Sequence, residues 1–249
     1  MLELYHAEPA SNSLKVLLCL KEKGVDFVSH LVNIQAFEQH EPEFLKVNPD
    51  GQVPVLVHDR TVITESTVIN EYLDQVFPSP ALRPAAAIEC ARMRVFTKYV
   101  DEYFRPSLSQ IGWQLMIHTI TDKLSHEEFA AKLARIPREE KREKWRIAAA
   151  QGYTAEQMAA WRRTLAEGIG KMEAALAKGP WLAGPHYSLA DIACFAMAAH
   201  MPARFGDIMS ETVSPRVMEW HRRMRARPAV AAALAMPSPI GAAARPMRP

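Results

Sequence analysis

The chain contains the segment Asn48-Pro49-Asp50-Gly51-Gln52-Val53-Pro54, followed further along by Thr64-Glu65-Ser66-Thr67. A glycine at position 51 suits a turn with positive φ, and proline is tolerated in a strand only at its edge or its end. Between the two motifs, apolar runs at residues 53–58 and 61–63 flank Asp59-Arg60, which is typical of an antiparallel hairpin. The segment therefore predicts a turn, a pair of strands and then a helix over residues 66–76.

The residues before this segment are predicted to form a strand, a helix and a second strand, which together with the segment would make a mixed α/β domain. Their pattern predicts a strand at residues 2–7, a buried helix at residues 14–23 that ends at Gly24, and a second strand at residues 27–33. The two strands are expected to be joined by a right-handed crossover. A parallel βαβ half followed by a ββα half is the thioredoxin-like arrangement, which we predict for residues 1–80.

Beyond a linker that contains proline and alanine, the strand signals disappear. Apolar residues recur with helical spacing, which predicts an all-helical domain over residues 87–235. Pro106 is expected to kink or end the first of these helices. The mixed-charge residues 123–147 predict a solvated helix face or an exposed excursion, and residues 236–249 a loosely held tail. The predicted fold class is an α/β thioredoxin-like N-terminal domain plus an all-α C-terminal domain.

The composition argues against several classes of protein. The 249 residues include 30 basic and 28 acidic side chains, so the net charge of +2 provides no strong basic field for nucleic acid or an anionic membrane. No apolar run approaches the ~18–20 residues that span a bilayer, and the first residues do not resemble a signal peptide. Cys19, Cys90 and Cys194 are far apart in apolar surroundings. This pattern predicts reduced, buried thiols in a cytoplasmic protein, with no disulfide framework and no metal site.

Ser11, Asn12 and Ser13 lie at the predicted junction between the first strand and the first helix. A helix N-terminus offers unpaired backbone N–H groups and the positive end of the helix dipole. Short polar side chains at this position either cap the helix or donate to a bound anion, and a thiolate is such an anion. Considered alone, the cluster is compatible with both interpretations.

Two further motifs have a plain and a functional interpretation. A cis Val53-Pro54 bond would turn the backbone N–H and C=O of Val53 outward, toward an extended peptide ligand, whereas a trans bond would make an ordinary turn. Glu65 precedes a predicted helix whose N-cap is expected to be Ser66. The carboxylate of Glu65 suits an ammonium group and the Ser66 hydroxyl suits a carboxylate, but the pair also fits simple capping.

Together, the order and spacing of these motifs resemble the glutathione transferase superfamily over about residues 1–235. The resemblance implies that glutathione is a co-substrate, that no metal is required, and that Asn12 or Ser13, and less clearly Ser11, activates its thiol. It also implies that Val53-Pro54 binds the cysteinyl backbone and that Glu65-Ser66 binds the γ-glutamyl end. The implied glutathione-binding residues are Gln39, His40, Gln52, Val53, Pro54, Glu65 and Ser66, with Gln39 and His40 at the glycyl carboxylate.

A fourth match lies in the helical domain, at Ser188-Leu189-Ala190-Asp191. A serine followed three residues later by an acidic residue predicts a capping box, in which each side chain accepts from a backbone N–H of the other's turn. In the superfamily this box begins the central helix of the C-terminal domain. The expected role of Ser188 and Asp191 is therefore structural.

Several blocks, of which residues 94–104 are the most specific, look like the bacterial β-etherases, which cleave lignin-derived β-aryl ethers. The resemblance implies that glutathione thiolate attacks Cβ of an α-keto ether, releasing a phenol and leaving a glutathione thioether. It also implies a homodimer, and His40 is suggested as a proton donor to the departing phenolate. An aromatic slot for the aryl rings is expected from Tyr99, Tyr103, Phe104, Trp113 and Met116. Interdomain packing or a dimer contact is the alternative for that stripe.

Two other functions remain compatible with the sequence. One is a general detoxifying glutathione transferase or a glutathione-dependent disulfide reductase with an open pocket. The other, of a different class, is a non-catalytic glutathione-binding interaction module, since a fold alone does not determine function.

Overall fold

The computed structural model describes residues 1–238 and contains one four-stranded sheet within them. The strands are β1 (Leu2–His6), β2 (Val28–Leu31), β3 (Val55–His58) and β4 (Thr61–Ile63), in the order β2-β1-β3-β4. β1 runs parallel to β2 and antiparallel to β3, which pairs antiparallel with β4. The predicted thioredoxin-like topology is confirmed, and β2 and β3 are shorter than predicted.

Three helices accompany the sheet: α1 (Ser11–Lys23), α2 (Pro42–Val47) and α3 (Ser66–Val76). α1 ends at Gly24, whose φ of 63° is the left-handed conformation expected of a glycine stop. A 3-10 turn (Glu38–His40) and α2 occupy the stretch between β2 and β3, for which no regular structure was predicted. This stretch delivers Gln39 and His40 to the site described below.

After the sheet, the described residues form helices only. α4 (Ala87–Tyr99) continues through a π-helical turn (Val100–Phe104) directly into α5 (Arg105–Thr121). The helix does not end at Pro106, which lies two residues after the π-helical turn, in the first turn of α5. The remaining helices are α6 (His126–Ala134), α7 (Glu139–Ala150), α8 (Ala155–Leu176), α9 (Leu189–Ala198), α10 (Met201–Arg204), α11 (Pro215–Arg225) and α12 (Pro228–Leu234).

The core is built around α1 and α9. Every residue of α9 is buried, and α1 packs against α3, α9 and α12 as well as lying on the sheet. In α1 this burial is nearly all-round, because its apolar residues from Leu14 to Leu20 are fully excluded from solvent. The amino end of α1 therefore has a fixed direction relative to the helical part of the chain.

The predicted capping box at α9 is present, and its carboxylate reaches further than the box itself. Oδ2 of Asp191 accepts from the backbone N–H of Ser188 (3.0 Å), while Oδ1 accepts from the backbone N–H of Leu182 (3.1 Å) and from Nε1–H of Trp220 (2.9 Å). Burial raises the pKa of Asp191 to about 6, and these donors oppose that shift. One buried carboxyl thus joins α9, the loop before it and α11.

The charged residues 123–147 form α6 and most of α7, so part of the prediction needs correction. The outer face of α7 is solvated as predicted, with Glu139 paired to Arg142 and Arg146. The inner face is not an exposed excursion: Trp145 is 7% exposed and its ring lies 4.5 Å from Phe37 and 4.3 Å from Trp113, between ring centroids. α7 is thereby packed against the site.

Other predictions concern thiols, metals, membranes and the tail. Cys19 and Cys194 are buried, Cys90 is only partly so, and none of the three is paired in a disulfide. Within residues 1–238, no helix is long and apolar enough to cross a bilayer, and no cluster of three potential metal-ligating side chains occurs. The predicted tail lies outside the described residues from position 239 onward.

The buried carboxyl of Asp191 generates the first prediction. Asp191→Ala leaves three buried N–H donors without an acceptor, so the free energy of unfolding should fall by about 3–5 kcal/mol. Ser188→Ala, which removes one capping hydroxyl, should cost about 1 kcal/mol. Urea denaturation of both variants measures the difference. Equal stability of the two variants would show that the carboxylate does not anchor α9.

Candidate functional site

Two adjoining clefts lie where the loop between β1 and α1 faces α5. The first, here called the basic cleft, runs between the 3-10 turn and α7, and its charged lining includes Arg105, Lys141 and Lys144. The second, called the apolar cleft, runs between the amino end of α1 and α9–α10. Val53, Arg105 and Trp113 border both clefts. A ligand with a polar part and an apolar part can therefore occupy the two clefts at once.

The amino end of α1 opens into the apolar cleft. None of the three polar residues there caps the helix: the N-cap is Ala10, which has no side-chain cap, and Ser11 begins the helix with a φ of 49°. The Oγ of Ser13 accepts from the backbone N–H of Ala7 (3.0 Å), which leaves its own O–H free to donate. Oδ1 of Asn12 is buried without a hydrogen-bond partner in the described part of the chain. The alternative of plain capping is thus not what the structure shows.

The hydroxyl of Ser11, unlike that of Ser13, already donates a hydrogen bond within the protein. Its hydroxyl donates to Sδ of Met197 at 3.7 Å, across the apolar cleft. Ser11 lines the same cleft as Asn12 and Ser13, but its hydroxyl is engaged with α9. Of the three candidate residues, Ser13 has the hydroxyl that is positioned and still available as a donor.

The turn before β3 has the conformation that its sequence predicts. Asn48 holds it: Oδ1 accepts from the backbone N–H of Asp50 (3.1 Å) and Nδ2 donates to the backbone C=O of Gln52 (2.9 Å). Gly51 has a φ of +60°, and the Val53–Pro54 bond is cis. Gln52 and Val53 line the basic cleft beside Gln39 and His40, whereas Pro54 lies behind them, at the entry to β3.

Ser66, in the Glu65–Ser66 pair, lies one position later in the helix than predicted. Ser66 is not the N-cap but the first residue of α3, and its side chain is buried, while Glu65 occupies the N-cap position with an exposed side chain. Glu65 has a φ of 65°, an uncommon conformation for a residue with a Cβ atom. Strained backbone of this kind is concentrated at ligand-binding positions.

An ion pair between a buried lysine and a partly exposed aspartate connects α1 to the helices around the site. Nζ of Lys15 donates to Oδ1 of Asp101 (2.7 Å) and to Oγ1 of Thr67 (2.5 Å), and Thr67 donates in turn to Oδ2 of Asp101 (2.5 Å). The Lys15 side chain is 1% exposed. The network joins α1, the first turn of α3 and the π-helical turn, so it fixes the positions of Asn12 and Ser66 relative to each other.

The three cations of the basic cleft are the largest feature that the sequence did not reveal. Burial, together with Lys141 and Arg105, lowers the pKa of Lys144 to about 8, and burial also lowers that of Lys141. Mutual repulsion of like charges in one cleft favours an anion there. The sequence did not indicate these lysines as binding residues, because they lie in a run of mixed charges. In α7, their positions around the helix point them toward the cleft and point the neighbouring arginines toward solvent.

His40 has the wrong environment for the suggested proton donation. It lines the basic cleft and not the apolar one, and burial lowers its pKa to about 4. A neutral imidazole at pH 7 can hydrogen-bond a ligand but has no ionised proton to deliver. Its Nδ1 is buried without a partner among residues 1–238, as is Oε1 of Gln39.

The predicted aromatic slot is wrong in three of its five members. Trp113 and Met116 line the apolar cleft. Phe104 is buried in the core, Tyr99 donates to the backbone C=O of Thr164 (3.0 Å) on α8, and Tyr103 stacks on Tyr99 at the surface. The π-helical turn changes the helix phase at this point and directs the stripe away from the cleft. The apolar walls come instead from Leu108, Met197, Met201 and Phe205.

Glu8 also lines the apolar cleft, and no motif singled it out. Its Oε2 is buried and has no hydrogen-bond partner within the described chain. Burial raises the pKa of the Glu8 carboxyl. An ionisable group of this kind in a cleft is a candidate functional residue.

Comparison with known proteins gives a consistent family. The family models for the glutathione S-transferase N-terminal and C-terminal domains match residues 10–76 and 155–223. Protein LigF from Sphingobium sp. (strain SYK-6) is 43% identical over 235 residues, which cover 92% of this chain and 91% of LigF. Glutathione S-transferase 3 from Zea mays is 30% identical over 255 residues, 98% of this chain and 99% of its own. The chain therefore belongs to the glutathione S-transferase family.

Solved structures agree with this assignment. The crystal structure of the β-etherase LigF matches with a TM-score of 0.89 at 42% identity, over 93% of this chain and 98% of LigF. A glutathione transferase homologue from Sulfitobacter, solved with bound glutathione, shares the fold with a TM-score of 0.67 at 22% identity, over 93% of this chain and 96% of its own. The expected fold class and the superfamily resemblance are both confirmed.

The turn at Gly51 generates a prediction about the site. A Cβ atom at this position would lie 2.5 Å from Nδ1 of His40, and φ is positive, so Gly51→Ala should lower the free energy of unfolding by about 1–3 kcal/mol. Gly170→Ala is the matched control: nothing lies within 4 Å of its Cβ, and alanine should stabilise α8 by up to about 1 kcal/mol. Urea denaturation measures both. A Gly51→Ala variant as stable as the native protein would contradict the close approach.

Proposed function

We propose that this transferase uses glutathione to cleave the β-aryl ether bond of lignin-derived α-keto aromatic ethers. The thiolate would displace a phenolate from Cβ, giving a phenol and a glutathione thioether. Support comes from the 43% identity with LigF along most of both chains, and from the match to its crystal structure as a β-etherase. The observation on which the proposal mainly rests is that the amino end of α1 opens into the apolar cleft, which adjoins the basic cleft at Val53, Arg105 and Trp113.

The nucleophile would be held at the amino end of α1. The O–H of Ser13 is free to donate because its oxygen already accepts from the backbone N–H of Ala7. Together with the helix dipole, this donor favours the ionised thiol. The unpaired atom of Asn12 is the acceptor Oδ1, which suits an N–H group of the bound glutathione. Ser11, whose hydroxyl is engaged with Met197, would shape the wall.

Glutathione itself would lie along the basic cleft. Its glycyl carboxylate suits the cations Arg105, Lys141 and Lys144, beside the amides of Gln39 and Gln52 and the neutral ring of His40. Its cysteinyl backbone would pair with the backbone of Val53, ahead of Pro54. The γ-glutamyl end would reach Glu65 and the first turn of α3 at Ser66. This assignment adds the three cations to the binding residues expected from the resemblance.

The aromatic electrophile would occupy the apolar cleft. Trp113 provides a ring at the junction of the clefts, and Met116 and the α9–α10 residues provide adaptable apolar walls. A substrate seated there presents its Cβ atom toward α1, opposite the departing oxygen. Holding both reactants in this way supplies alignment for backside displacement, and water excluded by the apolar wall cannot compete as nucleophile.

Two further features are proposed on family grounds. We infer a homodimer, because α3 and α4 leave Val68, Ile88 and Val95 more than half exposed on their outer faces. We also place the protein in the cytoplasm, because the reducing glutathione pool that supplies its co-substrate is found there.

The reaction is tested by incubating the protein with glutathione and a model β-aryl ether ketone, and measuring both the phenol and the thioether. Ser13→Ala should lower kcat about 10- to 100-fold, because one hydrogen bond to an anion is lost, and should raise the pKa of the bound thiol. Ser125→Ala removes a hydroxyl at the amino end of α6 that lines neither cleft, and should leave kcat unchanged.

Three outcomes separate the alternatives. Turnover of simple electrophiles without phenol release would make the protein a general transferase. Reduction of mixed glutathione disulfides alone would make it a reductase. Binding of glutathione with no turnover of any electrophile would make it a binding module.

The role of the cations is tested with S-methylglutathione, in which the thiol cannot titrate. Because a bound carboxylate favours the charged form of Lys144, whose pKa is about 8, affinity should be full below pH 8 and should fall above it. Lys144→Arg should remove the decline that begins near pH 8, since arginine stays charged, so that affinity falls only where the ammonium group of the ligand itself loses its proton. Lys144→Met should weaken binding roughly 10-fold at pH 7. Calorimetry gives the affinities, with the exposed Lys178→Met as control; an unchanged pH profile in Lys144→Arg would contradict the assignment.

A further inference from the structure

Glu8 is the acidic residue that lines the apolar cleft, and it is not accounted for by the binding of glutathione. It lies two residues before the N-cap of α1, and its backbone C=O accepts from the N–H of Ala10 (2.7 Å). This tight turn places the carboxyl of Glu8 and the polar residues Asn12 and Ser13 on the walls of one cleft. The proposed thiolate and the carboxyl would therefore face the same substrate.

No ion pair engages the Glu8 carboxyl within residues 1–238, although Arg105, His200 and Arg204 line other walls of the cleft, and its Oε2 is buried without a hydrogen bond. A buried carboxylate without a cation beside it tends to take up a proton. Burial accordingly raises the pKa of Glu8, and a hydrogen bond from its own backbone N–H opposes this shift only in part.

The proposed displacement needs a proton to move across this cleft. Glutathione enters as a thiol and must lose a proton, while the phenolate leaves as an anion in an apolar space and must gain one. Among residues 1–238, no other carboxyl group lines the apolar cleft, and the histidine there, His200, has a pKa lowered by burial and by Arg204. Glu8 is thus the carboxyl group in this cleft that can accept a proton and then donate it.

We propose that Glu8 carries the proton of the reaction, taking it from the glutathione thiol and giving it to the oxygen of the departing phenol. The inference rests on the proposed function. The S–H proton passes to the carboxylate; the C–S bond forms as the Cβ–O bond breaks; and the carboxylic acid then protonates the phenolate oxygen. The products are the neutral phenol and the thioether, and Glu8 returns as the carboxylate without any other reactant.

A series of β-aryl ether ketones that differ only in the para substituent of the leaving phenol tests the proposal. With a donor present, the rate depends weakly on how basic the leaving oxygen is; without one, poor leaving groups suffer most. In single-turnover measurements each variant is first equilibrated with glutathione, and the rate is divided by the fraction of bound glutathione that is thiolate, so that only the protonation of the leaving oxygen is compared. Glu8→Gln should then slow release of unsubstituted phenol about 100-fold but release of para-nitrophenol less than about threefold. Glu8→Asp, which keeps a carboxyl group, should recover part of the loss.

The controls make the result specific to Glu8. Glu156→Gln, an exposed glutamate on α8, should behave as the native protein. Glutathione affinity and circular dichroism establish that each variant is folded. Glu8→Gln tests the loss of the carboxyl group, and Glu8→Asp tests its retention on a shorter side chain.

Two results would overturn the proposal. An equal rate loss for every leaving group, or none at all, would show that Glu8 does not protonate the phenolate. A rise in KM with an unchanged kcat would show that it only binds a hydroxyl group of the substrate. Failure of the native protein to release any phenol is a separate result, which would remove the proposed function and this inference with it.

Discussion

The burial of α1 is the constraint on which the rest of the structure depends. Leu14 to Leu20 are excluded from water on all sides by the sheet, α9 and α12, so the helix has one possible orientation. The ion pair between the buried Lys15 and the partly exposed Asp101 joins the amino-terminal half of α1 to the π-helical turn between α4 and α5. Because the Lys15 ammonium group is buried, any alignment of α1 that separated it from Asp101 would leave it unpaired. The amino end of α1 is held toward the clefts for that reason.

The clefts on either side of that helix end differ in electrostatics. α7 contributes lysines to one of them because Trp145 anchors its inner face on Phe37 and Trp113. The other cleft receives thioether and aromatic side chains from α9 and α10. A charged peptide therefore fits one cleft and an apolar electrophile fits the other, so that their reacting atoms meet where the clefts adjoin. The two clefts differ in charge because α7 lines one of them and α9 and α10 line the other.

Of the seven buried side-chain polar atoms without a partner in residues 1–238, four line the clefts, and the other three belong to Asn70, Tyr187 and Arg223. In the core, the carboxyl of Asp191 is saturated with donors. Four atoms that line the clefts have no partner in the described chain: Oε2 of Glu8, Oδ1 of Asn12, Oε1 of Gln39 and Nδ1 of His40. Such atoms reduce stability until a ligand satisfies them, so their positions outline where a ligand belongs.

The sequence by itself determined the order of the four strands and of the helices α1 and α3, the Gly51 turn and the capping box at Asp191, because each depends on residues that are close along the chain. Only the tertiary structure decided which side chains share a cleft. Phe104 is buried in the core, Lys144 lines the basic cleft, and Oε2 of Glu8, in the loop before α1, is buried without a partner in the described chain. These outcomes depend on how distant segments pack, and local patterns of hydrophobicity and charge contain no information about that packing.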